Sequence, residues 1–251
     1  MRFIFILSGF CFIINTYGQL SVSDSTLNIP MFYATYSYQI PGGDMAVRFG
    51  NNSNIGGGFQ WKTNKNWIYG AEFNYLFGND VKIADDIMNN LKTGEGGIIN
   101  MAGNFTSYSL YERGYYISGR FGKVFPVLSP NPNSGIVVMG SVGYFQHKIR
   151  IEVTENTAPQ LKDDYKKGYD RLTDGIGISE FIGYMYISDS RLLNFFAGFE
   201  FNQAWTKPGR EINFDTMKPD ETTKRFDTLM GLKVGWIIPL FKRLPEKYYY
   251  F

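Results

Sequence analysis

From Trp67 to Phe77 every second residue is apolar, in the order Trp67, Tyr69, Ala71, Phe73, Tyr75 and Phe77, while the positions between include Gly70, Glu72 and Asn74. A period of two belongs to a β-strand, whose successive side chains point to opposite faces. The stretch 194–205 repeats the pattern, with Phe195, Ala197, Phe199, Phe201 and Trp205 set against Gly198, Glu200 and Asn202. Six further segments, 32–39, 55–63, 107–125, 136–152, 175–187 and 227–240, follow it with more interruption. The pattern predicts eight strands in one domain, without heptads, a longer repeat or a linker.

The connections alternate in length. Long ones occupy 40–54, 78–106, 153–174 and 207–226, and short ones 64–66, 126–135 and 188–192. The short ones carry turn chemistry: Asn64-Lys65-Asn66, Ser129-Pro130-Asn131-Pro132-Asn133 and Ser188-Asp189-Ser190. Tight turns at one end and long loops at the other are the plan of an up-and-down barrel. Within the second long loop, 83–91 reads as a short helix that sets Met88 and Leu91 over the barrel mouth.

Composition decides which way such a barrel faces. The chain has 251 residues, 18% of them aromatic, with 18 Tyr and 22 Phe, yet its formal charge is only +2. So weak a charge leaves no electrostatic footprint for nucleic acid. The aromatic content excludes a disordered tail. It would also overfill the interior of an eight-stranded barrel, which is just wide enough for side chains. The aromatic face therefore points outward and the charged face inward, the reverse of a water-soluble barrel. The expected fold is all-β: a transmembrane antiparallel up-and-down β-barrel of eight strands with a polar, plugged interior. Trp61, Trp67, Tyr75, Trp205 and Trp236 would form the interfacial aromatic girdle. Glu72, Glu112, Glu180 and Glu200, with Arg120 and Lys233, would form the polar network of the lumen. A charge taken out of water persists only when paired, so Arg120 and Lys233 should each bridge more than one carboxylate.

The N-terminus fits this reading. Arg2, the apolar run from Phe3 to Ile14 and then Thr16-Tyr17-Gly18 have the layout of a signal peptide spanning 1–18. The sole cysteine, Cys11, lies within it and follows Phe10, where a lipoprotein signal wants a small residue. The mature chain then has no thiol. A periplasmic segment 19–31, a barrel 32–241 and a periplasmic tail 242–251 would complete the protein.

Near the C-terminus the sequence Lys-Val-Gly-Trp-Ile-Ile-Pro-Leu begins at Lys233. It resembles the last-strand assembly signal of outer-membrane barrels, with Lys233, Gly235, Ile238 and Leu240 in the signal positions. With the strand pattern, the chain resembles small eight-stranded outer-membrane proteins of the OmpA-barrel, OmpX and OmpW kind, in the style of barrels from Bacteroidota. The resemblance implies the outer membrane of a Gram-negative bacterium, with both termini periplasmic. It implies contact with lipid and lipopolysaccharide, and recognition by the barrel-assembly machinery. It includes no periplasmic peptidoglycan-binding domain.

Little else in the sequence carries chemistry. His147 is the only histidine, which excludes a multi-histidine metal site. Ile149 stands where outer-membrane lipid A deacylases place a serine two residues after their catalytic histidine. The acidic pairs Asp85-Asp86 and Asp163-Asp164, and nearby Asp80, lack EF-hand spacing. No metal, cofactor or catalytic residue is expected. The expected role is structural or interactive, as a scaffold or accessory subunit of an envelope complex. The alternatives are a narrow channel for small hydrophobic or ionic solutes and a lipid A-modifying enzyme.

Overall fold

The structure, a computed structural model, describes Val22 and residues 25–154, 157–188, 192–219 and 224–240. The leader 1–18 with Cys11, the tail 242–251 and the centre of the turn at Ser188-Asp189-Ser190 lie outside the described residues. Eight long strands make up the barrel: β1 Ile29–Gly43, β2 Asn52–Lys62, β3 Trp67–Gly78, β4 Tyr108–Phe125, β5 Gly135–Val153, β6 Thr173–Tyr186, β7 Phe195–Pro208 and β8 Arg225–Pro239. Each pairs antiparallel with its neighbours in sequence, and β8 closes the ring onto β1.

Closure is staggered. From Ile40 on β1 the ladder runs through Met230, Phe201, Glu180, Gly140, Phe121, Tyr69 and Trp61, and returns to β1 at Pro30. A ring of eight strands that comes back so far down its first strand must tilt, typically by 35–45°. Such closure leaves no open sheet edge, so the backbone groups of the wall are satisfied within it.

The strands are longer than the alternation alone indicated. The barrel includes 29–31, and β1 continues to Gly43 through Pro41, so the first upper connection shrinks to 44–51, half of it the single turn α1 (Met45–Arg48). Pro41 is tolerated because β2 stops pairing at the Gln39–Asn52 step; its missing N–H faces no strand on that side. The other upper loops, 79–107, 154–172 and 209–224, remain long, and the lower connections 63–66, 126–134 and 187–194 are compact. The helix expected over 83–91 is present as α2 (Ala84–Met88) followed by a 3-10 turn, Asn89–Leu91.

The interior is filled in three layers. At the lower end Leu27, Ile29, Met31, Ile68, Val137, Met185 and Phe196 form an apolar plug. Asn133 fastens the segment before β1 beneath it: its amide donates to the carbonyls of Val22 and Ser25 and its oxygen accepts from Leu27 N–H at 2.8 Å. At the upper end Met45 and Phe49 from the first loop, Ile87, Met88 and Ile98 from the second, and Leu161 from the third pack onto Leu76, Tyr116, Phe145 and Leu229 of the wall. Loops that fold back with an apolar underside close the mouth. The ionic layer lies between these two.

Candidate functional site

The charged residues of that middle layer come from strands spread around the ring. Glu72 on β3 is held from both sides: its Oε2 accepts from Arg120 Nη1 of β4 and from the Tyr33 hydroxyl of β1 at 2.9 Å, and its Oε1 accepts from Lys233 Nζ of β8 and from Asn74 Nδ2 at 2.5 Å. Lys233 also donates to Glu200 Oε1 on β7 at 2.7 Å, where Ser179 Oγ approaches at 3.4 Å. Gln39 Nε2 lies 3.5 Å from the other oxygen of Glu200. The guanidinium of Arg120 donates to Tyr33 Oη at 2.8 Å and stacks over the rings of Tyr33 and Phe196. All four ionic side chains are buried, and two acids balance two bases. Four desolvated charges persist together because each finds an opposite charge and further hydrogen bonds.

Of the six residues expected in the lumen, Glu72, Arg120, Glu200 and Lys233 therefore meet. Lys233 bridges two carboxylates as expected. Among the described residues Arg120 pairs with one carboxylate, and a tyrosine hydroxyl takes the place of the second. Glu112 is also inside but higher, with both oxygens 3.1 Å from Asn52 Nδ2. Gly78 makes room for it, since a Cβ there would come 2.8 Å from Glu112 Oε2.

Glu180 is a correction. It projects from the outer face of β6, where its neighbours at alternate positions are Ile178 and Ile182, while Ser179 and Phe181 point inward. Glycines at 175, 177 and 183 blur the alternation of this strand, and the charge alone suggested the wrong face. Gln203 Nε2, also on the outer face, donates to Glu180 at 3.2 Å.

Alternation also concealed interior aromatics. Tyr33, Tyr116, Phe145, Phe181 and Phe196 are all inside. His147 points inward too, its Nε2 3.0 Å from Asp227 Oδ2, an oxygen that also accepts from Thr206 Oγ1 at 2.6 Å. The imidazole is enclosed by the rings of Phe49 and Phe145. Among the described residues its hydrogen-bond partner is a carboxylate, not a serine. In the loops Asp85 pairs with Lys92 at 2.5 Å and Asp164 with Lys167 at 2.6 Å, and each lysine holds its carboxyl below the usual range.

The outward face carries Trp61, Trp67 and Trp236 near the lower strand ends, and Tyr75 and Trp205 toward the upper ones. Ile238 and Leu240 of the terminal motif are outward and exposed. Lys233 and Gly235 are inward, and Gly235 has a local reason to lack a side chain: a Cβ would stand 2.3 Å from the ring of Phe196.

No family model and no curated protein matches the chain. Several solved structures are similar in outline. Ail, the attachment invasion locus protein of Yersinia pestis, aligns at 8% identity over 84% of this chain and 99% of its own, with a TM-score of 0.43. Neisserial surface protein A aligns at 10% identity over 82% and 96%, with a TM-score of 0.40. The outer membrane protein OprG of Pseudomonas aeruginosa aligns at 10% identity over 86% and 97%, with a TM-score of 0.37. The fold itself, an eight-stranded antiparallel ring closed by its first and last strands, is read from this chain's own ladder. It has the small-barrel architecture that the sequence resembled.

Proposed function

We propose that the chain is an outer-membrane β-barrel of a Gram-negative bacterium, with both barrel ends of the chain on the periplasmic side. In this reading the lumen is closed, and the protein works through its surfaces as a structural or accessory subunit of an envelope complex. The observation that carries it is the inversion of polarity: paired ions at the axis, and Phe, Tyr, Ile and Leu exposed on the outer wall. Water would penalise that wall by roughly 25 cal/mol for each Å² of apolar surface, and hydrocarbon would not. Closure is supported by the apolar layers above and below the ion cluster.

Membrane fractionation and planar-bilayer recording test the two halves of the proposal. The protein should stay with the outer membrane through an alkaline wash and, once reconstituted, give no steady conductance. Release of the leaderless protein as a monodisperse species in detergent-free buffer would refute the location. A steady conductance abolished by Glu72→Ala or Arg120→Ala would refute the plug and establish the channel.

A further inference from the structure

Glu180 breaks the rule that the rest of the outer wall obeys. It stands midway along β6, seven positions after Thr173 and six before Tyr186. Among the described residues, the other charged side chains on the outer face of the wall lie toward strand ends: Arg113, Lys123, Lys148, Arg150, Glu152, Asp174 and Lys207. In the bilayer reading proposed above, on which this inference rests, those residues reach headgroups and Glu180 cannot.

The wall beside it is cut away. Gly140 on β5 lies directly opposite Glu180 in the ladder, and a Cβ there would have only the Ser179 carbonyl near it, at 4.0 Å. On β4 the ladder partner of Gly140 is Phe121, and two residues away along that strand Gly119, opposite Val142, has a Cβ position that would meet nothing within 4 Å. Both glycines sit on the outer face, so the gap opens toward the surroundings. Toward β7 and β8 a shallow depression of about 480 Å³ reaches Glu180, walled by Ile182, Phe199, Phe201 and Met230. Gln203 is a single neutral donor, so among the described residues the carboxylate has no countercharge at that depth.

We infer that this face is a docking site for a membrane-embedded segment of a different protein, one that carries a Lys or Arg at mid-depth and seats it against Glu180. The glycines admit the backbone of such a segment closely, and the carboxylate supplies the complementary charge. In hydrocarbon an ion pair is formed without competition from water, so the contact is selective for a basic partner. A second copy does not supply that chemistry. Two barrels inserted in the same direction hold their outward cations at strand ends, far from the midpoint where each presents Glu180.

A photo-crosslinking residue replacing Val138 in the full-length protein, expressed in its native membranes, tests the inference. The crosslinked partner is sequenced, and the same measurement is made with Glu180→Gln, Glu180→Lys and Gly140→Leu. The expected result is one heterologous adduct whose crosslinked stretch is membrane-embedded and contains a Lys or Arg. It should fall at least about a hundredfold in Glu180→Gln and also in Gly140→Leu, which fills the gap but keeps the charge. It should be restored in Glu180→Lys when the partner's basic residue is changed to Glu. The variants keep the barrel wall intact, which the shift in electrophoretic mobility on boiling monitors. An adduct with a second copy, an adduct with lipid only, or one indifferent to Glu180→Gln overturns the docking site. A protein recovered in the soluble fraction instead overturns the membrane reading beneath it.

Discussion

Lys233 on β8 and Glu72 on β3 are joined across the lumen, with β1 and β2 between their strands in the wall. Because Lys233 also holds Glu200 on β7, one ammonium ties β3 to β7, two strands that share no ladder. A staggered ring can in principle close in a neighbouring register. A one-residue slip turns every side chain of a strand to the opposite face, so such a slip would put these ions outside. The brace therefore selects the register as well as filling space.

Removing its central carboxylate should be costly. Glu72→Ala would leave Arg120 and Lys233 buried with only Glu200 between them, and loss of one partner from a buried pair typically costs about 3–5 kcal/mol. The expected outcome is a lower denaturant midpoint for the variant refolded in detergent, with Glu72→Gln nearly as damaging because the amide keeps the shape without the charge. A midpoint unchanged from the parent would show that the cluster merely fills the lumen.

Gly235 separates two explanations for one residue. It occupies the glycine position of the terminal motif and also lies against the Phe196 ring, which is fully buried. Gly235→Ala should cost about 1–3 kcal/mol by overpacking, measured by unfolding of refolded protein. Phe196→Leu in the same chain should recover most of it. If the double variant refolds normally in vitro yet fails to reach the membrane in cells, the glycine is read by the assembly machinery as well; normal assembly would make its role one of packing.

The sequence revealed the wall better than its contents. On β3 and over 195–201 of β7 the alternation is clean because each outward position is apolar and the inward carboxylates Glu72 and Glu200 are held by the ion cluster; both strands are legible to within a few residues. On β6 three glycines interrupt the signal, so charge alone indicates a face for Glu180, and it indicates the wrong one. The interior aromatics were hidden for a different reason. Tyr33 and Phe196 fit a lumen position because Gly58 and Gly235 beside them are empty, a complementarity between strands distant in sequence. Neither residue's own neighbours announce it. The cap was partly visible, since the helix at 84–88 and the inward Met88 followed from local pattern, whereas its contact with Phe49 and Leu161 depends on how separate loops meet.

Phe49 should prove to be a keystone of the upper layer without being its only seal. Its ring is fully buried and packs edge-on to His147 at 5.6 Å. Phe49→Ala is expected to destabilise the cap by about 3–5 kcal/mol, seen as earlier proteolysis of the upper loops at fixed protease. The reconstituted variant should stay electrically silent, because the ion cluster and the lower plug remain beneath. Ion flow in this single variant would mean that the lower layers are permeable.

The four tryptophans offer a depth gauge for the whole arrangement. Trp61, Trp67 and Trp236 lie near the lower strand ends and Trp205 toward the upper end of β7, so none is at mid-height. The indole of Trp236 donates to the Leu192 carbonyl at 2.8 Å, and that of Trp67 stacks on Phe121 with Lys123 over its face. An indole with an apolar body and one N–H donor is best placed at the headgroup boundary. In vesicles, intrinsic fluorescence should therefore be quenched more strongly by lipids brominated close to the headgroup than by lipids brominated near the chain ends. Trp205→Phe should lower the total signal while preserving that ratio, since the remaining three sit at the opposite boundary. Stronger quenching from the chain ends would place the indoles in the hydrocarbon centre. The apolar belt would then have to be centred on one end of the barrel, and Glu180 would no longer lie at the middle of the bilayer.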